Sequence, residues 1–382
     1  MLNDIFLNIS VYYFHILIII ALYFLFLSLG NRYEMLRFSK KPEIFDGPLV
    51  SVLIPMRNEE KNAQKCLDSL RNQLYKNYEI LVLNDNSTDD TAVILEQIAI
   101  EDSRVKIFNG KALPEDWFGK PFALHQLSSH AKGDILLFTD ADTVHSPKSI
   151  SWAVTNMQNL KIDMLSGYIG QVFLTIGEII TVPIMFFLTG LIIPLFLNRV
   201  LKVHWFSAAV GQFIAIRHDV FREIGGAEAF KKNITEDIYM SRLVKKKGFS
   251  TRFLNICEYV HCRMYDGYRS AIEGIGKNMF DFLGKKSFVM LILFIGVFFF
   301  LFFPFLLFIV SLITAGSWLL QLGIVCFLYT LIWLLIFLEQ RLNWWYGFLW
   351  PFIYLNLLYM SIWLFFRSIT GKGFIWKDRK VN

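Results

Sequence analysis

Residues Leu49–Glu60 read LVSVLIPMRNEE, and the architecture follows from this stretch. Leu49–Pro55 is an unbroken apolar run closed by polar residues, the pattern of a strand covered on both faces. Behind it, Glu59–Leu74 sets Ala63, Cys66, Leu67, Leu70 and Leu74 at helical spacing, with Asn58 in position to cap the helix. The alternation continues through Tyr78–Leu83, Thr91–Glu101, Val105–Phe108, a helix over Gly119–His130, and Ile135–Phe138. Repeated βαβ units predict a mostly parallel sheet with helices on both faces. In such sheets ligands sit beyond the carboxyl ends of the strands. The polar clusters fall there: Met56–Glu59, Asn84–Asp90 and Thr139–Asp142.

Working outward, 55% of the 382 residues are hydrophobic and 16% aromatic, with 38 phenylalanines, while 18% remain charged. That mixture predicts an aqueous domain joined to membrane segments. Charge-poor runs at Ile5–Gly30, Ser287–Thr314, Gly316–Leu338 and Trp344–Phe366 each reach the ~20 residues a helix needs to cross a bilayer. The expected organisation is an anchor over 1–30, a working domain over 31–286, membrane helices over 287–366 and a basic tail over 367–382. The first run lacks a basic flank and a small-x-small cleavage site, so it reads as a retained anchor. Arg32, Arg37, Lys40 and Lys41 follow it, which places the working domain in the cytoplasm. Three further crossings would then carry Arg367, Lys372, Lys377, Arg379 and Lys380 to the outer side, against that rule. Either the last run is re-entrant or interfacial, or the run around Pro304 is broken into a hairpin.

The net charge of +6 clusters beside apolar segments, and no nucleic-acid motif is present, so anionic lipid is the expected partner of the basic residues. Cys66, Cys257, Cys262 and Cys326 have neither CxxC nor zinc spacing and read as reduced structural thiols.

Asp140 and Asp142 flank one small residue just after an apolar strand, so two hard oxygen donors can enter one cleft and hold Mg2+ or Mn2+ beside a diphosphate. A lone Asp-x-Asp is also a common solvated turn. Asp85 sits where a carboxylate can accept a base N–H, with Glu59 and Pro55 bordering the same pocket, although Asn, Asp and Ser are ordinary turn residues too. Lys120 follows Gly119 at a helix start, a position that suits an anion. Thr235-Glu236-Asp237 precedes a helix, where acids favour the dipole; Asp237 is also placed to act as a base.

The ordered set Pro-Met-Arg-Asn-Glu-Glu, Asn-Asp-Asn-Ser-Thr-Asp-Asp-Thr, Asp-Ala-Asp and Thr-Glu-Asp resembles the family 2 inverting glycosyltransferases over about residues 50–282. The resemblance implies a GT-A α/β domain that binds a nucleotide-sugar, UDP-glucose by preference. It implies donor contacts from Pro55, Arg57, Glu59, Asp85, Lys120, Asp140 and Arg263, a metal on Asp140 and Asp142, and Asp237 as general base. Gly211, Gln212 and Glu236 fall to the acceptor side. Trp117–Pro121 and Arg263-Met264-Tyr265 look like the membrane branch that glycosylates lipids, carotenoid acids among them; ceramide and hopanoid-associated transferases share much of the pattern. Asp378 stands where that branch usually has glycine in its tail. The Gln-x-x-Arg-Trp motif of processive polysaccharide synthases is missing. Such a synthase, or a non-catalytic nucleotide-sugar-binding protein, are the rival readings.

Residues 172–197 are apolar, yet one crossing there would put Asp85 and Asp140 across the bilayer from Asp237. An interfacial or re-entrant helical pair broken at Pro183 and Pro194 is expected instead, with Glu178 on a polar face. Over 267–283, Tyr268, Ile272, Ile275, Met279 and Phe280 predict an amphipathic helix, lying on the leaflet or packed into the core.

Overall fold

The computed structural model describes residues 2–38, 42–371, 374–376 and 379–381, with side chains for 11–38 and 42–371. Helix α1 (Leu2–Met35) leads into β1 (Val50–Met56), α2 (Ala63–Arg71), β2 (Tyr78–Asn84), α3 (Thr91–Glu101), β3 (Val105–Asn109), α4 (Gly119–His130) and β4 (Ile135–Phe138). There follow β5 (Thr143–His145), α5 (Ser149–Asn159), β6 (Met164–Tyr168), β7 (Gly170–Gln171), α6 (Ile176–Thr181), α7 (Ile184–Gly190), β8 (Ile214–Arg217), α8 (His218–Glu223), α9 (Glu236–Lys246), β9 (Thr251–Asn255) and β10 (Val260–Cys262). The carboxyl-terminal part holds α10 (Gly267–Phe282), α11 (Ser287–Gly296), α12 (Phe303–Thr314), α13 (Leu319–Glu339), α14 (Trp350–Thr370) and a short ribbon, β11 (Phe374–Trp376) with β12 (Arg379–Val381).

The main sheet runs β3-β2-β1-β4-β8-β6-β9, and every neighbouring pair is parallel except the two made by β8. Alternate residues explain the apolar runs. Val52, Ile54, Ile80 and Val82 pack on α2, α3 and α5, whereas Leu53, Leu81, Leu83 and Phe138 pack on α4, α8 and α9. Both faces are covered, so no polar alternation remains. Helix α2 starts at Ala63, not Glu59. Asn58 is no cap: its φ of 52° puts it in a left-handed loop, where its side-chain oxygen accepts the Thr88 N–H.

Four helical segments are long and apolar enough to cross a membrane: Val11–Met35, Ser287–Thr314, Leu319–Glu339 and Trp344–Thr370. Of the two alternatives, the hairpin at Pro304 does not form; one helical path runs from α11 to α12 through a π-helical turn at Val297–Phe302. Proline lacks an N–H, so it frees the Phe300 carbonyl in an α register or the Phe299 carbonyl in a π register. Both carbonyls are served from other helices: Tyr329 Oη donates to Phe300 O at 2.6 Å, and Tyr13 Oη to Phe299 O at 2.6 Å. Neighbours thus supply what apolar surroundings cannot.

The last segment is not straight. Asn255 Nδ2 donates to Glu339 O and Arg341 pairs with Glu258, so the end of α13 is fastened to the α/β domain. Residues 344–349 then run back along α13, bringing Gly347 against Leu334 and Trp350 Nε1 to Thr330 Oγ1 at 2.9 Å. From there α14 passes beneath α6 and α10 and ends with Ser368 Oγ donating to Lys285 O. Both ends of residues 340–368 lie on the domain side. Of the tail residues named above, Lys372, Lys377 and Asp378 lie outside the described residues, as do Lys40 and Lys41 beside α1, and for Arg379 and Lys380 only the backbone is described.

One expectation is corrected, and of the two placements left open for residues 267–283 the packed one is found. Glu178 does not mark an exposed polar face: it is 1% exposed, and its carboxylate pairs with Arg263 at 2.8 Å and accepts the N–H groups of Gly267 and Leu174. A buried carboxylate needs such partners. Helix α10 does not offer its apolar side to lipid; Ala271, Ile272, Ile275, Met279 and Phe280 are buried in the core shared with α6, α7 and α14.

Strand β6 passes so close to β9 that a Cβ on Gly167 would stand 1.7 Å from Leu254 O. Backbone cannot yield there. Gly167→Ala is expected to cost about 1–3 kcal/mol or more, read as a lower thermal midpoint in detergent, whereas Gly296→Ala, with no atom near the added carbon, is expected to leave it unchanged.

Candidate active site

Because β1 lies between β2 and β4, the three polar loops leave the sheet side by side. Their residues line a cavity of about 790 Å3. Asp85, only 7% exposed, follows β2, and its N–H bonds to Met56 O at 2.7 Å. Arg57 braces this loop by donating to the carbonyls of Asp85 and Asn86. Glu59 accepts from Asn62 Nδ2 at 2.8 Å, and its N–H bonds to Thr91 Oγ1.

The reversed direction of β8 has a consequence for the site. Phe138 pairs with Ile214, so the residues entering β8 meet the residues leaving β4. Gly211 and Gln212 arrive there, and Thr139 Oγ1 donates to Gln212 O at 2.9 Å. Gly211 N donates to Asp237 Oδ2 at 2.8 Å. A Cβ on Gly211 would lie 2.8 Å from Lys120 Nζ, so a side chain there would displace the ammonium. The Gln212 side chain turns into the core, 3.0 Å from Cys262 Sγ.

Lys120, at the start of α4, joins two halves of the cavity. Its Nζ is 2.7 Å from Asp140 Oδ1 and 2.9 Å from Glu236 Oε1. Burial disfavours its charge, but the fields of Asp140 and Glu236 prevail and hold its pKa well above the ordinary lysine value. Two other acids shift upward. Burial, then Asp140 and Glu59, push the Asp142 carboxyl up to about 7, and burial, then Glu236, push Asp237 up to about 7 against Lys120 and two backbone N–H groups. Asp237 sits in the first turn of α9, its Oδ1 accepting the Ile238 N–H at 2.8 Å.

Asp142 Oδ1 is buried with no hydrogen-bond partner. A hard divalent cation fits an orphaned carboxylate oxygen beside a second carboxylate. Among the described residues no third His, Cys, Asp or Glu completes a metal cluster, so Asp140 and Asp142 leave the remaining coordination to ligand oxygens or water.

Every residue singled out from the sequence for donor, metal, acceptor or base lines this one cavity: Pro55, Arg57, Glu59, Asp85, Lys120, Asp140, Asp142, Gly211, Gln212, Glu236, Asp237 and Arg263. Arg263 is held by Glu178 and by Asp266, each at 2.8 Å, and its buried Nε has no partner. The chain carries a family 2 glycosyltransferase domain. Residues 51–225 match Glycosyl transferase family 2, a segment that holds the first three polar loops and ends before Asp237.

Among relatives, the chain is 27% identical over 244 residues to the probable glycosyltransferase YdaM of Bacillus subtilis, covering 62% of this chain and 57% of that protein. It is 38% identical over 112 residues to the 4,4′-diaponeurosporenoate glycosyltransferase of Staphylococcus haemolyticus, covering 29% of each. It is 33% identical over 117 residues to the beta-monoglucosyldiacylglycerol synthase of a Nostoc species, covering 30% of this chain and 25% of that one. The aligned parts thus span little more than half of the first relative and under a third of the other two. The mannosyltransferase of Pyrobaculum calidifontis, solved with GDP-Man and Mn2+, superposes with a TM-score of 0.59 at 16% identity, over 96% of this chain and 99% of that one. The shared fold is GT-A.

The sequence pattern missed the second wall of the cavity. Met185, Leu188 and Thr189 of α7 face Ile275, Met279 and Phe282 from α10 and its end, with Lys277 and Asn278 among them. Lys277 was not among the site residues read from the sequence, yet burial lowers its pKa to about 8 within reach of Glu236. The signal was present as a small and polar row, Ser270, Gly274 and Lys277–Asn278, beside the apolar one.

Proposed function

We propose that this protein is an inverting glycosyltransferase that moves a hexose, glucose from UDP-glucose, onto a membrane lipid acceptor such as a carotenoid-like acid. The observation that carries the reading is the cavity's two-sided lining. One side presents Asp85, Asp140, Asp142 and Asp237; the other is the apolar wall from α7 and α10, which belongs to the same core as the long apolar helices. Such a cavity suits an acceptor with a reactive polar head and a greasy body. The glycolipid-forming names among the relatives agree with a lipid acceptor, and the Mn2+ and nucleotide-sugar of the mannosyltransferase complex agree with a metal-assisted nucleotide-sugar donor, though its donor is GDP-Man.

In this reading Asp85 accepts from the base, Glu59 and Pro55 border it, and Lys120 and Arg263 face the diphosphate. Mg2+ or Mn2+ on Asp140 and Asp142 would neutralise charge on the leaving diphosphate. Asp237 takes the proton from an acceptor hydroxyl as its oxygen bonds to the anomeric carbon and the bond to UDP breaks. With a carboxylate acceptor no proton moves, and Asp237 and Glu236 instead orient the head through Lys120.

The contacts at the ends of the helices support the following membrane arrangement. The domain lies on the cytoplasmic side, α11–α12 crosses outward, α13 returns, and residues 344–370 enter and leave on the cytoplasmic face. Arg367 then lies inside, as the positive-inside rule asks. Single cysteines at Ser317 and Ser368 in a cysteine-free background test this. Ser317→Cys is expected to react with an impermeant maleimide on intact cells and Ser368→Cys only after lysis; labelling of both on intact cells would sink the arrangement.

Membranes holding the protein should convert radiolabelled UDP-glucose into a solvent-extractable product of acceptor mass plus one hexose. Excess chelator should abolish this and Mg2+ or Mn2+ restore it. A polymeric product, or transfer undiminished by chelator, would overturn the reading.

Asp237→Asn is expected to lower transfer to a hydroxyl acceptor by ~10²–10⁴-fold while UDP binding by calorimetry is retained. A base works only as its carboxylate. With the carboxyl at about 7, kcat/KM should climb as pH rises from 5 to 8 and level off above that. A rate that is flat across this window would remove Asp237 from the role.

A further inference from the structure

The segment from Asn198 to Phe206, between α7 and β8, takes no part in the cavity. It exposes Val200 (69%), Trp205 (59%), Leu201 and Val203 beside charged Arg199 and Lys202. Its depth is fixed by α1. Asn31 donates to the carbonyls of Gly190 and Ile193 and accepts the Phe196 N–H, while the Phe196 ring lies against Gly30 and edge-on to Phe26 at 5.6 Å. Phe26, Gly30 and Asn31 belong to the last turns of an apolar span that ends at Met35. The exposed apolar side chains therefore stand at the rim of the bilayer, continuous with α1.

The charge at this rim is unbalanced. Glu34 is 5% exposed and is shared by Arg252 at 3.5 Å and Arg199 at 3.8 Å. Arg37 adds a third guanidinium, and Lys245 approaches Arg252 from α9; burial, then the fields of Arg199 and Arg37, lower the Arg252 pKa although Glu34 opposes them. One carboxylate faces several cations, and an anion completes the set.

The same segment grips α9. The Arg242 guanidinium lies over the Trp205 ring at 4.6 Å, Ser207 Oγ donates to Ser241 O at 3.3 Å, and Lys245 Nζ donates to Asn198 O. Arg242, Ser241 and Lys245 all lie on the helix whose first turn carries Glu236 and Asp237.

We propose that Arg37, Arg199, Lys202 and Arg252 bind the phosphate headgroup of an anionic phospholipid while Val200, Leu201, Val203 and Trp205 enter the acyl boundary, and that occupancy of this rim steadies α9 and raises the rate. A loop with apolar residues interleaved by cations is built for an interface rather than for water. A soluble partner protein would have to compete with the bilayer that α1 brings to the same place.

The full chain in nanodiscs of phosphatidylcholine, with phosphatidylglycerol titrated in, tests both parts. Native mass spectrometry after detergent exchange should show phosphatidylglycerol retained above its share of the bilayer. Arg199→Gln with Lys202→Gln should weaken retention about fivefold per charge removed, ~25-fold for the pair, whereas Lys65→Gln with Lys76→Gln, equal in charge and on the exposed surface of the α/β domain, should not. Retention in the bath ratio, or retention unchanged in the rim variant, would overturn the site. The rate measurement rests on the function proposed above: wild type should accelerate several-fold with phosphatidylglycerol. The rim pair and Trp205→Ala should both remain at the phosphatidylcholine rate. Stimulation that survives Trp205→Ala would overturn the coupling to α9. Selective retention without transfer in any bilayer would support the lipid site and sink the proposed activity instead.

Discussion

The ammonium of Lys120 is the point on which the cavity's geometry turns. Seven acids line one hollow, exposed Asp266 and the more enclosed Glu59, Asp85, Asp140, Asp142, Glu236 and Asp237, and in a region of low dielectric the enclosed carboxylates repel one another strongly. Lys120 stands between the acid that leaves β4 and the acid that opens α9, bonded to both. It thereby fixes the distance between the donor half and the acceptor half. Asp142 and Asp237, neither of which it bonds, have carboxyls that burial drives upward. Charge is thus concentrated where Lys120 sits and relaxed at the two positions where a cation or a proton has reason to come. Gly211 belongs to the same constraint, because any side chain there would push the ammonium aside.

A second constraint ties the site to the long helices. The core that holds α1, α13 and α14 also contains Tyr168 and Phe253 of the sheet and the buried faces of α6, α7 and α10. No solvent layer separates the apolar cavity wall from the helix bundle. Arg263 shows how polar groups survive in this wedge: Glu178, held down at about 2 although burial alone would raise it, is paired first of all by Arg263 and then by two backbone N–H groups. The pair lies at the foot of α10, so a side chain expected to face solvent instead pins the helix that forms the cavity wall.

Much of this was legible before any coordinates. Helices α3 and α4 and strand β4 begin and end where hydrophobic period and turn residues place them, because each is local in origin. The polar loops were legible for a topological reason: a parallel sheet delivers its carboxyl ends to one edge. What could not be read depended on distant partners. The start of α2 was misplaced because Asn58 bonds across to Thr88 instead of capping its own helix. The break foreseen at Pro304 is absent because two phenols, from residues 13 and 329, replace the missing N–H, and nothing near Pro304 in sequence announces them. The placement of α10 stayed open because period identifies the apolar side of a helix, whereas whether that side meets lipid or protein is decided by α6 and α14.

The single reversed strand shows why so many residues scattered through the chain converge. Had β8 run parallel to β4, its amino end would open at the opposite edge of the sheet, and Gly211 and Gln212 would lie a strand's length from Asp140. Reversal instead sets the chain entering β8 beside the chain leaving β4, in register from Phe138 with Ile214 to Ile135 with Arg217. The long excursion between β7 and β8 is then obliged to begin and end near the cavity, and its middle is free to reach the end of α1. That one inversion of direction accounts both for the backbone N–H that Gly211 offers to Asp237 and for the contact between the interfacial segment and α9. A site assembled from the first half of the sheet is in this way completed by residues that the membrane-facing half supplies.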